Sequence, residues 1–455
     1  MSTTLATDQS VRNAYAADAS GLVLVADAVA RPQTIEDVQE VVRRCGLDRI
    51  SLTCAGAQTS TTAASITDRG AVLSLRGLDW ISDVDESSRT MRVGAGALVG
   101  AIKRAAAATG LLFAPDPTSE EECTIGGAIA CNASGARTFK YGATRRHVRA
   151  LRVVLANGDL IDLRRSDLEK NTVGYAFAHD PIDWFIGSEG TLGVIVEAEL
   201  SLLPLPKKII GVAALFPSEA TALSFVVAAR ESPTIAPRCI EYFDTKALEI
   251  ARNSASTREI SDDASAMVYV EEEVKDEMED ALERWAGLID ESGTDMDPLV
   301  FEGENQLREA RRIRHSIPAT MNERGGQHRH AGGRKISTDW AVPYRALSDA
   351  ITAARALATE AGIDQAVIYG HAGNGHPHQN FIARHSREVH TIEEVIERTL
   401  KLVIGMGGTV AAEHGIGKIK RRWLPLQMNQ LQISMMTAVK RELDPLGILA
   451  PGNIL

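Results

Sequence analysis

CTIGGAIACNASG, residues 123–135, is the stretch on which the fold turns. Small residues fill nearly every position, so main-chain N–H groups can approach a large anionic ligand with no side chain in the way. The run is not a G-x-G-x-x-G loop behind a strand, and it is not a Walker A sequence, which sets aside both of those nucleotide loops. Taken alone it has a second reading, in which the small residues let a helix lie close on a sheet.

Outward from this run the first half alternates short helices and strands. Thr34-x-x-Asp37 reads as a capping box, with Val38, Val41 and Val42 following at helical spacing. Cys54–Ser65 is a second long run of small residues. Thr90–Val93 reads as a strand, Leu98–Thr109 as a helix stopped by Gly110, and Asn157-Gly158 as the turn of a hairpin over Leu151–Leu163. Thr191–Leu203 is a strand pattern ended by Pro204 and Pro206. The second region is expected to hold strands at Ile209–Phe216, Arg238–Phe243 and Ala366–Tyr369. Helices are expected over Ser218–Glu231, Asp276–Glu291, Gln306–Ile317, Thr391–Ile404 and Leu426–Leu443, with a basic loop at Arg324–Arg334.

The 455 residues suggest two or three domains at roughly 150 each. A formal charge of -11 argues against nucleic acid and anionic bilayers as partners, since both would repel the chain. The most apolar stretches, such as Leu98–Ala114, are interrupted well short of the about 20 residues a membrane span needs. The start lacks the pattern of a secretory signal, and the five cysteines are odd in number and show no C-x-x-C spacing; cytoplasmic location is the expectation.

Chemistry concentrates near the end of the second region. GHAGNGHPHQN (370–380) holds His371, His376 and His378, and AAEHGIG (411–417) holds Glu413 and His414, in a chain with 11 histidines altogether. Imidazoles with one carboxylate are a ligand set for Zn²⁺, Mn²⁺ or Fe²⁺. His371, His378 and Glu413 are the favoured ligands, leaving His414 as a base beside the ion. His376 and His378, two apart, can face one way on a strand, but Pro377 constrains that. His328 and His330 form a rival pair in the basic loop, where a solvated role is favoured.

CAGAQTS (54–60), CTIGGAIACNASG, Lys170-Asn171-Thr172, IGSEGTLG (186–193), EHGIG and DPLGIL (444–449) occur in this order in one family. From about Ala30 to the terminus the sequence resembles the FAD-linked oxidases of the vanillyl-alcohol-oxidase type. It is most similar to their D-2-hydroxyacid dehydrogenase branch, the D-lactate, D-2-hydroxyglutarate and glycolate dehydrogenases. The resemblance implies an α+β fold in three parts. Residues 1–207 form a two-part FAD-binding domain, 208–411 an α+β substrate (cap) domain with an antiparallel sheet and the metal loop, and 412–455 a C-terminal helical segment completing the active site.

It also implies the contacts. Gly56, Gln58, Thr59 and Ser60 match one FAD loop, although Ala57 and Gln58 replace two of the family's glycines. Thr124, Gly126, Gly127, Asn132 and Gly135 match the other, followed by Gly142. Glu189, Gly190 and Val194 match the segment on the adenine and ribose side. Since no histidine precedes His147, a histidyl link from the first loop is excluded and the FAD is expected to be non-covalent. The family's metal loop reads H-x-G-D-G-N-x-H; here Asn374 and His376 replace its Asp and Asn, leaving zinc, manganese and iron open with zinc first. Arg311, Lys335 and Asn380 align with substrate-binding positions; Arg311 alternatively belongs to a solvated run with Arg312 and Arg314. Ala450 stands where the family has Asn.

The implied reaction is oxidation of a D-2-hydroxy acid to the 2-oxo acid, the metal binding the hydroxyl, His414 taking its proton and hydride passing to flavin N5. A quinone, a cytochrome, an electron-transfer flavoprotein or oxygen would reoxidise the flavin, and a homodimer is compatible with the sequence. Two other readings compete. A metal-independent flavin alcohol or sugar-lactone oxidase would ignore chelators, and a zinc hydrolase would be colourless.

Overall fold

The computed structural model describes residues 4–253, 259–275, 277–364 and 366–455. The chain forms two compact units: Met1–Gly135, Gly142–Leu205 and Glu413–Leu455 make the first, Ala136–Tyr141 and Pro206–Ala412 the second.

In the first unit three parallel strands run in the order Ala28–Ala30, Ala71–Ser74, Leu52–Ala55. Alternate residues enter different apolar clusters, Ala28, Ala30, Ala71 and Leu73 on one side and Val29 and Val72 on the other. A parallel sheet covered on both faces needs this continuous apolar run. Helix Ile35–Asp48 packs Val38, Val41, Val42 and Cys45 into the first cluster, and its Thr34/Asp37 capping box is present in both directions. A four-stranded antiparallel sheet follows, in the order Thr90–Gly94, Val194–Ser201, Val148–Val154, Leu160–Arg164, with the Asn157-Gly158 turn where the hairpin was expected.

The chain terminus completes this unit. Leu52 donates to the carbonyl of Ile448 at 2.7 Å and the Ala450 amide donates to that of Leu52 at 2.8 Å. Asp444 holds the turn before it, accepting from the amides of Ile448 (3.0 Å) and Leu449 (2.8 Å) and pairing with Lys440. The Lys440 ammonium also donates to the carbonyls of Thr191 (2.7 Å) and Leu449 (2.9 Å).

The second unit is built on a seven-stranded sheet, antiparallel at every pairing. Its order is Leu299–Glu302, Ile209–Phe216, Ala266–Glu273, Pro237–Phe243, Val367–His371, His376–His385, Gly332–Ser337. On one face Leu215, Phe243, Met267 and Tyr369 pack against Leu307, Ile313, Ile317 and Met321 of the 24-residue helix Gly303–Gly326.

Several local expectations change. Residues 123–135 contain the short helix Ile125–Ala130, capped by the Thr124 hydroxyl, so the close-packing reading applies: a Cβ on Gly126 would lie 2.7 Å from that of Ala95. The basic segment 324–334 is not one loop. The long helix continues through Pro318 to Gly326 and a strand begins at Gly332, because the apolar stripe through Ile317 and Met321 still has a sheet to cover. The expected helix 426–443 is two, Leu424–Gln427 and Gln430–Leu443, since Asn429 and Gln432 form a new capping box. The helix expected from Asp276 runs Met278–Glu291; residue 276 lies outside the described residues.

Replacing Asp444 by Ala strands two buried amides and the Lys440 charge. It should cost about 3 kcal/mol or more, seen as a lower urea midpoint at unchanged slope, with Lys440→Met in the same background recovering part of the loss.

Candidate active site

At the end of the strand Leu52–Ala55 the first unit gathers several of the expected FAD residues. Gly56 meets Thr124 so closely that a Cβ would stand 2.1 Å from the threonine hydroxyl, which joins the two small-residue loops. Gln58 has a left-handed backbone (φ 58°) and its side-chain Nε2 donates to the Tyr15 carbonyl at 3.0 Å. From residue 57 to 61 no backbone amide donates a hydrogen bond among the described residues. Residues 57–60 are half-buried and Thr61 is exposed; amides shielded from water without acceptors are costly unless something outside the chain accepts from them. The second loop differs: the amides of Ile125 and Gly126 go to the carbonyls of Ala97 and Ala95, and that of Gly127 to the Thr124 hydroxyl. Five consecutive uncommitted amides fit the pyrophosphate of a dinucleotide.

The remaining positions expected at FAD brace this end. Asn132 accepts from the Arg145 amide at 2.9 Å, while Gly135 crowds Asp116 and Gly142 crowds Arg146. Val194 is fully buried in the apolar cluster, and Gly190 abuts Cys54. Glu189 is no surface carboxylate. It is buried and accepts from the amides of Ile416 (2.6 Å) and Gly417 (2.8 Å), so its side chain is spent on the loop after His414. Burial raises its carboxyl above the ordinary range, partly opposed by those two amides. In the same unit the imidazole Nε2 of His414 lies 3.4 Å from Glu413, whose other oxygen accepts from Ser134 at 3.4 Å.

In the second unit the hairpin Val367–His371/His376–His385 places three imidazoles together. Its register sets His371 opposite His376 and Tyr369 opposite His378. Side chains two apart on a strand share a face, and Pro377 does not interrupt it. Ring centroids are 5.4 Å (His371–His376), 5.2 Å (His371–His378) and 4.7 Å (His376–His378) apart, and all three rings are buried. The tight turn needs Gly375 at φ 69°, where a Cβ would strike the Val342 carbonyl at 1.9 Å.

A carboxylate backs the cluster. His371 Nδ1 lies 2.6 Å from Glu241 Oε1, and Glu241 Oε2 accepts from Arg314 Nε at 2.8 Å. Burial would raise the Glu241 carboxyl, but the Arg314 charge and the hydrogen bonds from His371 and Arg314 outweigh it and hold the group well below the usual range. Facing a carboxylate, Nδ1 is the donor, so the Nε2 lone pair of His371 is directed into the cluster. His376 Nε2 is 3.2 Å from Asp339 but forms no aligned hydrogen bond. Such a donor set fits a divalent transition metal.

The expected substrate residues are dispersed over this unit. Asn380, on the same strand as His378, is buried; its Nδ2 donates to the His378 carbonyl at 3.3 Å and its Oδ1 has no hydrogen-bond partner among the described residues. Lys335 reaches Asn322 at 3.1 Å, and burial pushes its ammonium down to about 8. Arg311 is half-buried and acts on Glu271; Arg312 is exposed. Arg314, read as a member of a solvated run, is instead buried, its Nη2 3.5 Å from His371 Nε2. Arg314 and Glu241 were missed, yet both leave a trace: Glu241 alternates with Cys239 and Phe243 on a core-facing strand, and Arg314 follows Leu307 and Ala310 on the buried stripe. A charge on an apolar face implies a partner there.

Residues 26–164 match the family "FAD binding domain" and residues 205–454 match "FAD linked oxidases, C-terminal domain". The chain is 30% identical to glycolate oxidase subunit GlcD of Bacillus subtilis (strain 168), over 94% of this chain and 88% of that one. It is equally 30% identical to a D-2-hydroxyglutarate dehydrogenase of Xanthomonas citri pv. viticola (94% and 89%) and to a D-lactate dehydrogenase of Archaeoglobus fulgidus (94% and 91%). Alkyldihydroxyacetonephosphate synthase shares the fold, with a TM-score of 0.69 at 18% identity over 94% of this chain and 78% of that one. No helix among the described residues is long and apolar enough to cross a membrane. With matched family domains along most of its length, the chain belongs to the FAD-linked oxidases of the vanillyl-alcohol-oxidase type and is an FAD-dependent enzyme of that family.

Proposed function

We propose that this protein oxidises a D-2-hydroxy acid to the 2-oxo acid, with a divalent metal at His371 and His378 and non-covalent FAD as the oxidant. The observation that carries the reading is the buried imidazole cluster backed by Glu241, in a chain whose relatives are named for glycolate, D-2-hydroxyglutarate and D-lactate. The family pattern adds Glu413 as the third ligand. When bound, the metal would supply Lewis acidity to the substrate hydroxyl and the flavin a two-electron acceptor.

The chain's own residues do the rest. The amides of residues 57–61 hold the dinucleotide, and Glu189 holds the loop that carries His414. His414 takes the hydroxyl proton on a ring nitrogen. Glu241 fixes the tautomer of His371 and Arg314 neutralises Glu241, so the cluster presents lone pairs rather than protons. Lys335, Arg311 and Asn380 receive the substrate's carboxylate and oxygen atoms, the two half-buried cations pairing with the carboxylate. Membership of the FAD-linked oxidases removes the zinc-hydrolase alternative. A quinone, cytochrome, electron-transfer flavoprotein or oxygen remains the acceptor class in this proposal, with cytoplasmic location.

Anaerobic titration of the yellow protein with D- and L-2-hydroxy acids should bleach the flavin with D isomers alone; bleaching by neither series refutes the assignment. His414→Ala should keep its flavin and lose about 10²–10⁴-fold in the bleaching rate. Glu241→Gln should weaken metal retention by about 10–100-fold, measured by metal analysis after dialysis against a graded chelator; unchanged retention argues against a metal at His371. Because the Lys335 ammonium is displaced to about 8, the lysine loses its charge as pH rises through that value. KM should therefore climb above pH 8, and Lys335→Met should flatten that rise.

A further inference from the structure

Beside the imidazole cluster, the same sheet face carries a second polar group that the proposed reaction does not use. Glu241 pairs with Tyr269 and Cys239 with Glu271, so Glu241 and Glu271 are diagonal neighbours, roughly 7–8 Å apart. The register slips between Pro237 and Cys239, leaving Arg238 as the extra residue of a β-bulge. Bulges re-aim side chains, and here Arg238 turns onto the face where Glu271 stands.

The cations in this place outnumber the carboxylates. Arg137 grips Glu271 with two donors, Nε at 3.0 Å and Nη2 at 3.2 Å. Glu271 also accepts from the Tyr269 hydroxyl at 3.1 Å and feels Arg311. Lys140 pairs with Glu273 at 2.7 Å, and the Tyr141 hydroxyl donates to Glu273 as well. Arg238 comes last. Its Nε is 3.5 Å from Glu271 Oε2, an ion pair without an aligned hydrogen bond, and its guanidinium lies 5.6 Å from the Tyr141 ring centroid. Only 4% of Arg238 is exposed, yet Nε and Nη1 have no hydrogen-bond partner among the described residues. Four cations thus face two carboxylates, and a buried guanidinium is left with its fork open. A buried charge in that state is costly unless an anion completes it.

We infer that Arg238, with Arg137 beside it, forms a second anion subsite that takes the distal carboxylate of the substrate. The preferred substrate is then a short 2-hydroxy dicarboxylic acid, malate-like or 2-hydroxyglutarate-like, rather than a monocarboxylic one. This rests on the 2-hydroxy-acid reading of the neighbouring imidazole cluster. A planar fork suits a carboxylate, and the strand that carries Arg238 also carries Glu241, which backs His371 of the imidazole cluster.

The holoenzyme is titrated calorimetrically with glutarate and with butyrate, which lack the hydroxyl and cannot turn over. Glutarate should bind at least about tenfold tighter, and Arg238→Met should abolish the difference. In turnover, the ratio of kcat/KM for D-2-hydroxyglutarate to that for D-2-hydroxybutyrate should fall about 30-fold or more in Arg238→Met, with Arg238→Lys recovering part. Equal binding of the two acids by the wild type overturns the inference. So does an equal loss with both substrates, the result of an ion pair that merely supports the sheet. A protein that turned over no 2-hydroxy acid would refute the proposed function instead. The glutarate titration would then decide the subsite alone, supporting it if binding depends on Arg238 and overturning it if not.

Discussion

Glu241 is a carboxylate in the interior of an apolar sheet face, and the second unit's chemistry is arranged around the cost of keeping it there. An ionised carboxyl in that position would be strongly unfavourable alone. It is stabilised by Arg314 on one oxygen and His371 on the other. Removing either partner would leave an uncompensated buried charge, a change worth about 3–5 kcal/mol. The same two bonds set the His371 tautomer, so the stability of the sheet and the orientation of the imidazole cluster depend on one group.

That constraint recurs along the sheet. Leu215, Phe243, Met267 and Tyr369 form the apolar ground of the face, and Glu241, Glu271 and the histidines are set into it in neighbouring strands. The long helix Gly303–Gly326 serves both needs, supplying Leu307, Ile313 and Ile317 to the core and Arg311 and Arg314 to the carboxylates. A helix period of 3.6 makes this feasible, because residues three and four apart return to one side.

The first unit works by the opposite device. Its loops carry little charge and are positioned by crowding: Gly56 against Thr124, Gly126 against Ala95, Gly135 against Asp116. Side chains there serve the backbone, as when Glu189 caps the amides of Ile416 and Gly417. What is left for a ligand is main-chain N–H, a geometry that binds phosphate oxygens without a cation.

Much of this was legible in order along the chain. Local pattern determined the Thr34–Asp37 cap, the Asn157-Gly158 hairpin and the strand alternation of the second region, because these depend on neighbours a few residues away. The grouping of His371 with His378 was legible too, since a Gly-rich turn between short strands can do little else. Tertiary structure alone decided that Pro377 leaves the strand intact, that Arg314 is buried rather than solvated, and that Glu241 and Glu271 lie diagonally on one face. The diagonal placement of Glu241 and Glu271 depends on the register of strands well apart in sequence, and a single-residue slip would send both side chains to the other side of the sheet. Arg314 is buried because its helix packs its apolar stripe on that same face.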